Sequence, residues 1–236
     1  MFILQVDLER ILSMNDLMVA YTGRKAKLYE AVRAKSGRWR RETKIMEALL
    51  KEIQPTTVLD CPYGTGRWSP QYNRFCKSQV IGIDISKDML DQARRKLKIM
   101  KNDLNVVYDL RVGNIFDLEH ANLGTNPDLV ICVRFINWID LKSVRLAIKR
   151  ISYLNSANFI LGASVVPINV GVLKRWWFKK ALDKINRQST DGRTQFVHDE
   201  ACLLEIINEN GWNLVEKYFV MRRSSRVNYF YHLVRA

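Results

Sequence analysis

Residues 58–66 read VLDCPYGTG, and residues 80–84 read VIGID. Each stretch is a short apolar, β-branched run that ends in a carboxylate, which is typical of a buried strand with an acid at its tip. The first acid opens into a turn with two glycines, which let the backbone approach a ligand closely. The second acid, Asp84, can accept hydrogen bonds from both hydroxyls of a ribose. The spacing therefore predicts a binding site for a ligand that contains adenosine.

The spacing of the glycines narrows the class of ligand. A dinucleotide site needs three glycines in the order G-x-G-x-x-G, because the pyrophosphate rests against bare backbone at a helix N-terminus. Here the order is Asp60-x-x-x-Gly64-x-Gly66, and Pro62 stands where a further glycine is expected. The loop predicts a ligand without phosphates.

Two longer stretches carry a family resemblance. LDCPYGTGR at residues 59–67 and GIDISKDMLDQAR at residues 82–94 resemble the first and second motifs of class I S-adenosylmethionine-dependent methyltransferases. The resemblance covers residues 56–163. It implies S-adenosyl-L-methionine as cofactor and an α/β fold: a doubly wound, mostly parallel seven-stranded sheet with an antiparallel C-terminal hairpin strand and an N-terminal helical cap.

The resemblance also implies roles for the residues of the first two motifs. Gly64 and Gly66 would pass under the methionine part of the cofactor, and Asp60 would hold its amino group directly or through water. Asp84 would bind the ribose. A carboxylate at the end of a buried strand is costly to desolvate unless it meets donors, and two hydroxyls would supply them.

The remaining predicted cofactor contacts follow the second, third and fourth strands. Ile85 resembles the apolar residue that packs on the adenine ring, with ordinary core packing as the alternative. Asn114 replaces the commoner acid that accepts from the adenine amino group, and the amide of Ile115 would meet a ring nitrogen; a side-chain amide oxygen can still accept that bond. Arg134 begins the segment RFINW, at residues 134–138, where cofactor and acceptor meet in this family.

Along the chain, strands and helices alternate, which indicates right-handed crossovers and a parallel sheet covered on both faces. We expect one domain, with a helical cap at residues 1–53, a cofactor-binding core at 54–163, and an acceptor-side segment and hairpin at 164–236. Strands are predicted at about 56–60, 79–84, 106–112, 128–133, 158–163, 214–222 and 227–235. Ser86 is predicted to cap the helix after the second strand, and another helix is predicted from His198 to Glu209.

Length and composition indicate an α/β domain and argue against a membrane-spanning, secreted or metal-binding protein. The chain has 236 residues, of which 47% are hydrophobic, and it contains no apolar run of the length that a membrane span needs. Its N-terminus lacks the pattern of a secretory signal, so a cytoplasmic protein is expected. The four cysteines and three histidines show no ligand spacing, and no metal site is predicted.

The net charge of +14 is unevenly distributed. Residues 54–130 carry 10 basic and 9 acidic residues, whereas residues 21–51 carry 10 and 3, residues 174–193 carry 7 and 2, and residues 217–236 carry 5 and none. The excess outside the cofactor half favours an anionic partner, such as nucleic acid or another polyanion. The alternative is a solvated face of amphipathic helices. Within the cap, Arg40 and Arg41 are also candidates to meet the cofactor's carboxylate.

Three functions remain open on the sequence alone. The first is methyl transfer to an oxygen or nitrogen of a small or medium-sized acceptor, the second is an RNA- or DNA-directed methyltransferase, and the third is a non-catalytic binding module with the same fold. Residues 134–138 do not read as the "[DN]-P-P-[YFW]" sequence of amino-methylating nucleic-acid enzymes. No catalytic residue is assigned, although His198, Asp140 and Tyr63 could lie near the mouth of the site. The oligomeric state is open.

Overall fold

The computed structural model describes residues 22–101, 104–168, 195–223 and 226–236. The basic aromatic stretch at 174–180, one of the sequence features that suggested an anionic partner, lies outside the described residues. No helix within the described ranges is both long and apolar enough to cross a membrane.

Six α-helices and eight strands make up the regular structure of these residues. The helices are α1 (Gly23–Arg33), α2 (Gly37–Ile53), α3 (Ser69–Phe75), α4 (Lys87–Ile99), α5 (Leu141–Ser152) and α6 (Glu200–Glu209). The strands are β1 (Thr57–Asp60), β2 (Gln79–Asp84), β3 (Val107–Val112), β4 (Leu129–Val133), β5 (Asn158–Val166), β6 (His198–Asp199), β7 (Trp212–Arg223) and β8 (Arg226–Arg235). Short 3₁₀ helices lie at Ile115–His120 and Ile136–Trp138.

The strands form one sheet in the order β3-β2-β1-β4-β5-β8-β7, and β6 pairs with β5 off this path. The first five strands run parallel, while β8 is antiparallel to both β5 and β7. This confirms the mostly parallel sheet with an antiparallel C-terminal hairpin. The two-residue strand β6 comes in addition to the seven predicted strands.

Alternating side chains of the central strands divide the core into two layers. Val58 and Val80 face a layer that includes residues of α2, α3 and α4, whereas Leu59 and Ile81 face the layer of α5 and α6. This is the period of two that a strand buried on both faces requires. The sheet is therefore covered on both sides, as the alternation of elements predicted.

The two described cap helices lie in different places. Ser36 breaks the segment and caps α2, since its hydroxyl accepts from the amide of Trp39 at 3.1 Å. α2 buries Met46 and Leu49 against one face of the sheet, whereas α1 contacts α4. Both helices reach the edge where the strands end, and α2 does so through Glu42 in its first half.

The helix predicted to begin at His198 begins at Glu200 instead. His198 and Asp199 pair with Val165 and Val166 of β5, and the Asp199 carboxylate caps the helix by accepting from the amide of Ala201. Partners more than thirty residues away thus set this helix start. The final strands are also longer than predicted, and each extends one or two residues beyond its predicted start or end.

Candidate cofactor cleft

The cleft lies at the carboxyl edge of the sheet, where β2, β1 and β4 end side by side. The chain turns away from β1 in both directions, towards β2 and towards β4, and such a reversal of strand order opens a crevice. The cleft is not plugged by side chains, since it encloses a cavity of about 130 Å³. Six of the eight predicted cofactor residues line it, namely Gly64, Asp84, Ile85, Asn114, Ile115 and Arg134.

The two glycines of the first loop have different surroundings. Both adopt positive φ angles, +61° at Gly64 and +66° at Gly66, which residues with a side chain rarely adopt. Gly64 lines the cleft, and its amide donates to the Asp84 carboxylate at 2.7 Å. Gly66 does not line it, and a Cβ there would lie 2.7 Å from the Ser69 hydroxyl oxygen. Gly66 is thus needed for the turn itself, and its predicted contact with a cofactor stays a prediction.

Asp84 is buried at the tip of β2, with its carboxylate at the cleft wall. It accepts hydrogen bonds from the amides of Gly64 and Ser86, at 2.7 and 2.8 Å. Burial raises the pKa of Asp84 to about 6, although these two amide donors act in the opposite direction. No ion pair joins Asp84 to a basic side chain in the described part of the chain. The carboxylate is therefore short of compensating charge and has lone pairs left for further donors.

Asp60 lies deeper than predicted. Its carboxylate accepts from the Tyr72 hydroxyl at 2.7 Å, and Asp60 is not among the residues that line the cleft. Burial raises the pKa of Asp60 to about 8, against the effect of the Tyr72 hydrogen bond. The predicted contact of Asp60 with the cofactor's amino group stays a prediction, and in this geometry it would need an intervening water.

Apolar side chains form the wall beyond β2 and β3. Ile85, Met89, Ile115 and Phe116 line the cleft next to Asp84. The side-chain oxygen of Asn114 accepts from the amide of Phe116 at 3.0 Å and caps the 3₁₀ helix that begins at Ile115. The predicted adenine acceptor is thus already used in a local hydrogen bond, and its contact with adenine stays a prediction.

Helix α1 closes the cleft from the side of the cap. Tyr29 lines the cavity, and the Thr65 hydroxyl donates to the Glu30 carboxylate at 2.5 Å. Lys96 pairs with the same carboxylate and donates to the Gly66 carbonyl at 3.1 Å. These contacts place α1 directly above the glycine loop.

A buried glutamate organises the opposite wall. Glu42 of α2 has no exposed surface and pairs with three arginines: Arg38 at 2.7 Å, Arg67 at 2.5 Å, and Arg134. The Arg67 guanidinium is also stacked between two indoles, 3.6 Å from the ring centroid of Trp39 and 3.9 Å from that of Trp68. Arg67 and Arg134 both line the cleft. Glu42 therefore holds two cations at the cleft wall.

The electrostatics of this cluster run opposite to those of the strand-tip acids. Burial alone would raise the pKa of Glu42, but Arg134, Arg38 and Arg67 outweigh it and lower that pKa to about 2. Arg134 adopts a left-handed φ of 64°, which is uncommon for a residue with a side chain. Arg67 Nε and Arg134 Nη1 are buried without a hydrogen-bond partner among the described residues. The protein groups described here therefore leave two buried donors of this cluster unsatisfied.

The three side chains named as candidate bases are all engaged elsewhere. His198 Nε2 lies 2.8 Å from the Ile136 carbonyl, and burial lowers the pKa of this histidine. The Asp140 carboxylate caps α5 by accepting from the amide of Ser143 at 2.7 Å. The Tyr63 hydroxyl is hydrogen-bonded to the Ser69 hydroxyl at 2.8 Å, and burial raises its pKa. None of the three has a free basic group at the cleft.

Sequence reasoning missed several residues of the cleft. Tyr29, Arg67, Met89 and Phe135 line it without having been assigned a role. Arg40 and Arg41 had been considered for the cofactor's carboxylate, but Arg41 donates to the Val220 carbonyl at 3.0 Å. Arg67 directly follows the glycine motif, so its position could have suggested it, whereas nothing local marks Tyr29.

Comparison with known proteins supports the resemblance drawn from the motifs. Residues 58–154 match a family described as a methyltransferase domain. No curated protein matches the chain by sequence.

Solved structures share the fold across most of the chain. A magnesium protoporphyrin IX methyltransferase from Synechocystis PCC 6803 with bound S-adenosylhomocysteine has a TM-score of 0.70 and 16% identity, over 94% of this chain and 100% of that one. An S-adenosylmethionine-dependent methyltransferase from Clostridium acetobutylicum ATCC 824 has a TM-score of 0.60 and 15% identity, over 89% and 96%. A geranyl diphosphate methyltransferase in complex with GPP and sinefungin has a TM-score of 0.57 and 13% identity, over 82% and 78%. At such identities the likeness is one of fold.

Proposed function

Because this chain carries a class I methyltransferase domain, we propose that it transfers a methyl group from S-adenosyl-L-methionine to an oxygen or nitrogen of a small or medium-sized acceptor. The observation that carries the proposal is Asp84. It is a buried carboxylate that forms no ion pair with any described residue, at the wall of an open cleft and beside the backbone of a glycine loop. Two ribose hydroxyls would supply the donors that this group lacks.

Other residues of the cleft fit the rest of such a cofactor. Ile85, Ile115 and Phe116 form an apolar slot for an adenine ring. At the other end, the guanidinium groups of Arg67 and Arg134, two residues that line the cleft, suit the carboxylate of the methionine part. Between these two ends, the loop turns through glycines with positive φ angles and so presents backbone without a side chain to the cofactor.

The residues of the site would act mainly by positioning. When bound, S-adenosylmethionine supplies a methyl group on a sulfonium, which is already activated for in-line displacement. The tasks left to the protein are to orient the acceptor and to exclude water. Helix α1 above the loop and the aromatic side chains Phe135 and Trp138 are placed for both. The proposal therefore requires no general base.

The small size of the acceptor is proposed from the fold relatives. Two of them are named for small molecules, magnesium protoporphyrin IX and geranyl diphosphate. These names describe those proteins, and they favour an acceptor of comparable size here.

Calorimetric titration with S-adenosylmethionine, S-adenosylhomocysteine and NAD tests the proposal. We expect the first two to bind, and NAD to bind about 100-fold more weakly, because the loop lacks the third glycine of a pyrophosphate site. A preference for NAD would overturn the choice of cofactor. Absence of binding by all three would favour the non-catalytic module.

A further inference from the structure

The end of the β7–β8 hairpin at which Arg223 pairs with Arg226 lies at the same edge of the sheet as the cofactor cleft. Val227, near the start of β8, pairs with Val165 near the end of β5, and β5 runs parallel to β4, which ends just before Arg134. Neighbouring strands are about 4.8 Å apart and each residue rises about 3.3 Å, so Val227, two strands across and three residues further along, lies about 14 Å from the end of β4. The hairpin end is therefore next to the side of the cleft where an acceptor would enter.

Three arginines converge at this end, and we call them the mouth arginines: Arg38, Arg223 and Arg226. Arg223 and Arg226 pair across the hairpin, and Arg38 approaches them from α2. Burial lowers the pKa of Arg226, and the charges of Arg223 and Arg38 lower it further. The pKa of Arg38 is also lowered, by burial first and then by Arg134 and Arg223, against the opposing effect of Glu42. These like charges are thus close enough to repel one another.

Protein groups compensate this repulsion only in part. Among the described residues, Arg223 and Arg226 form no ion pair, and Arg226 donates to the neutral side-chain oxygen of Gln195 at 3.4 Å. Glu42 is the carboxylate nearest to Arg38, but it is shared with Arg67 and Arg134. Guanidinium groups that converge in this way are suited to a carboxylate or a phosphate, which they bind through paired hydrogen bonds.

The two elements that carry the mouth arginines, α2 and the β7–β8 hairpin, contact each other directly. Arg41, on the same helix as Arg38, donates to the Val220 carbonyl at 3.0 Å and lies over the Phe219 ring at 5.6 Å. This contact ties α2 to β7 just before Arg223. The cluster therefore differs from a solvated helix face, since its members come from two elements that are bonded to each other.

We propose that the acceptor carries an oxyanion group, a carboxylate or a phosphate, which the mouth arginines bind while the cofactor occupies the inner cleft. The proposal rests on the proposed function and specifies the substrate class of the same site. Arg67 and Arg134 would serve the cofactor, and Arg38, Arg223 and Arg226 would serve the acceptor. A compact group of three arginines at one point favours a single anionic group on a small molecule over the extended backbone of a nucleic acid.

The test uses the full chain saturated with S-adenosylhomocysteine, so that the inner arginines are occupied. Inorganic pyrophosphate and malonate are titrated calorimetrically at low ionic strength, and the tighter of the two indicates which oxyanion the site prefers. We expect Arg223→Gln and Arg226→Gln to weaken binding of the preferred anion by about tenfold each. Arg222→Gln is the matched control, because it removes the same charge from the neighbouring position, whose side chain points to the other face of the strand. Its affinity should stay within about twofold of wild type.

The outcomes separate this inference from the proposed function. If wild type binds S-adenosylhomocysteine but neither anion, the inference is wrong and the proposed function stands. If wild type does not bind S-adenosylhomocysteine, the proposed function fails first. Equal loss of anion binding in all three variants, or binding of an RNA oligonucleotide but of neither small anion, would show a general polyanion surface and overturn the inference. Unchanged S-adenosylhomocysteine affinity in each variant is the control for folding.

Discussion

The buried acids of the cleft and the buried acid of the cap have opposite electrostatics. Asp84 is compensated by two backbone amides and has its pKa raised to about 6, whereas Glu42 is surrounded by three arginines and has its pKa lowered to about 2. Both carboxylates are removed from water, so burial by itself does not distinguish them. The difference shows that Glu42 is satisfied by the protein and orients its partners, while Asp84 retains capacity for a ligand.

The largest effect on stability is expected from removal of the Glu42 carboxylate, which three arginines compensate. Glu42→Gln would leave three arginines at a buried site without their carboxylate, and loss of one partner of a buried ion pair costs about 3–5 kcal/mol. We expect the free energy of unfolding, measured by chemical denaturation, to fall by that amount. Glu47→Gln is the control, because Glu47 pairs with Arg74 at the surface and such pairs contribute about 0–1 kcal/mol. An equal loss of unfolding free energy in the two variants would show that Glu42 contributes no more to stability than a surface ion pair does.

Removal of the uncompensated acid should affect ligand binding most. Asp84→Ala would lose two charge-assisted hydrogen bonds to ribose, together worth at least about 3 kcal/mol, so affinity for S-adenosylmethionine should fall at least about 100-fold. Asp91→Ala, in the exposed pair with Lys87 and Arg94, should bind within about twofold of wild type. A folded Asp84→Ala protein with near-normal affinity in calorimetry would contradict the role of Asp84.

The smallest effect, about 2 kcal/mol, is expected in the pH dependence of stability, where the two acids have opposite signs. The folded pKa of Asp84 lies above its ordinary value of 3.8, so its charged form destabilises the ligand-free protein, and this cost grows as pH rises from about 4 to 6. The folded pKa of Glu42 lies below its ordinary value of 4.5, so its contribution is present above that pH and is lost as pH falls towards 2.

Denaturation of wild type, Asp84→Asn and Glu42→Gln across this pH range measures both signs. As pH rises from 4 to 6, the free energy of unfolding of Asp84→Asn should increase relative to that of wild type. The gap between wild type and Glu42→Gln should narrow below pH 4.5. Parallel pH profiles for the three proteins would show that folding shifts the pKa of neither carboxylate and would contradict both expectations.

Predictions from contiguous residues agreed well with the structure. Ser86 caps α4 as expected, with its hydroxyl accepting from the amide of Met89 at 3.3 Å, because a cap depends on residues three apart. The second strand, Gln79–Asp84, has its predicted bounds. By contrast, the start of α6 was placed two residues early, because pairing of His198 and Asp199 with β5 depends on the sheet and not on the helix.

No pattern in the sequence predicts the ion pairs of Glu42. Arg67 is 25 residues from Glu42 and Arg134 is 92 residues away, so no spacing rule relates them. Reasoning from the cap's composition suggested Arg40 and Arg41 instead, and it could not distinguish the arginines that face the sheet from those that face solvent. Use of the Asn114 side chain in a local cap was likewise outside what the motif alone indicates.

Local sequence was therefore sufficient for the fold class and for Asp84 and Gly64 at the cleft, because strand periodicity, helix caps and tight turns depend on residues close together in the chain. The folded chain alone established which charges meet: Glu42 with Arg38, Arg67 and Arg134, and Arg38 with Arg223 and Arg226. The reason is physical. The energy of a charge pair depends on distance and burial, and both are fixed by the order of strands in the sheet, which brings together residues that are far apart in sequence.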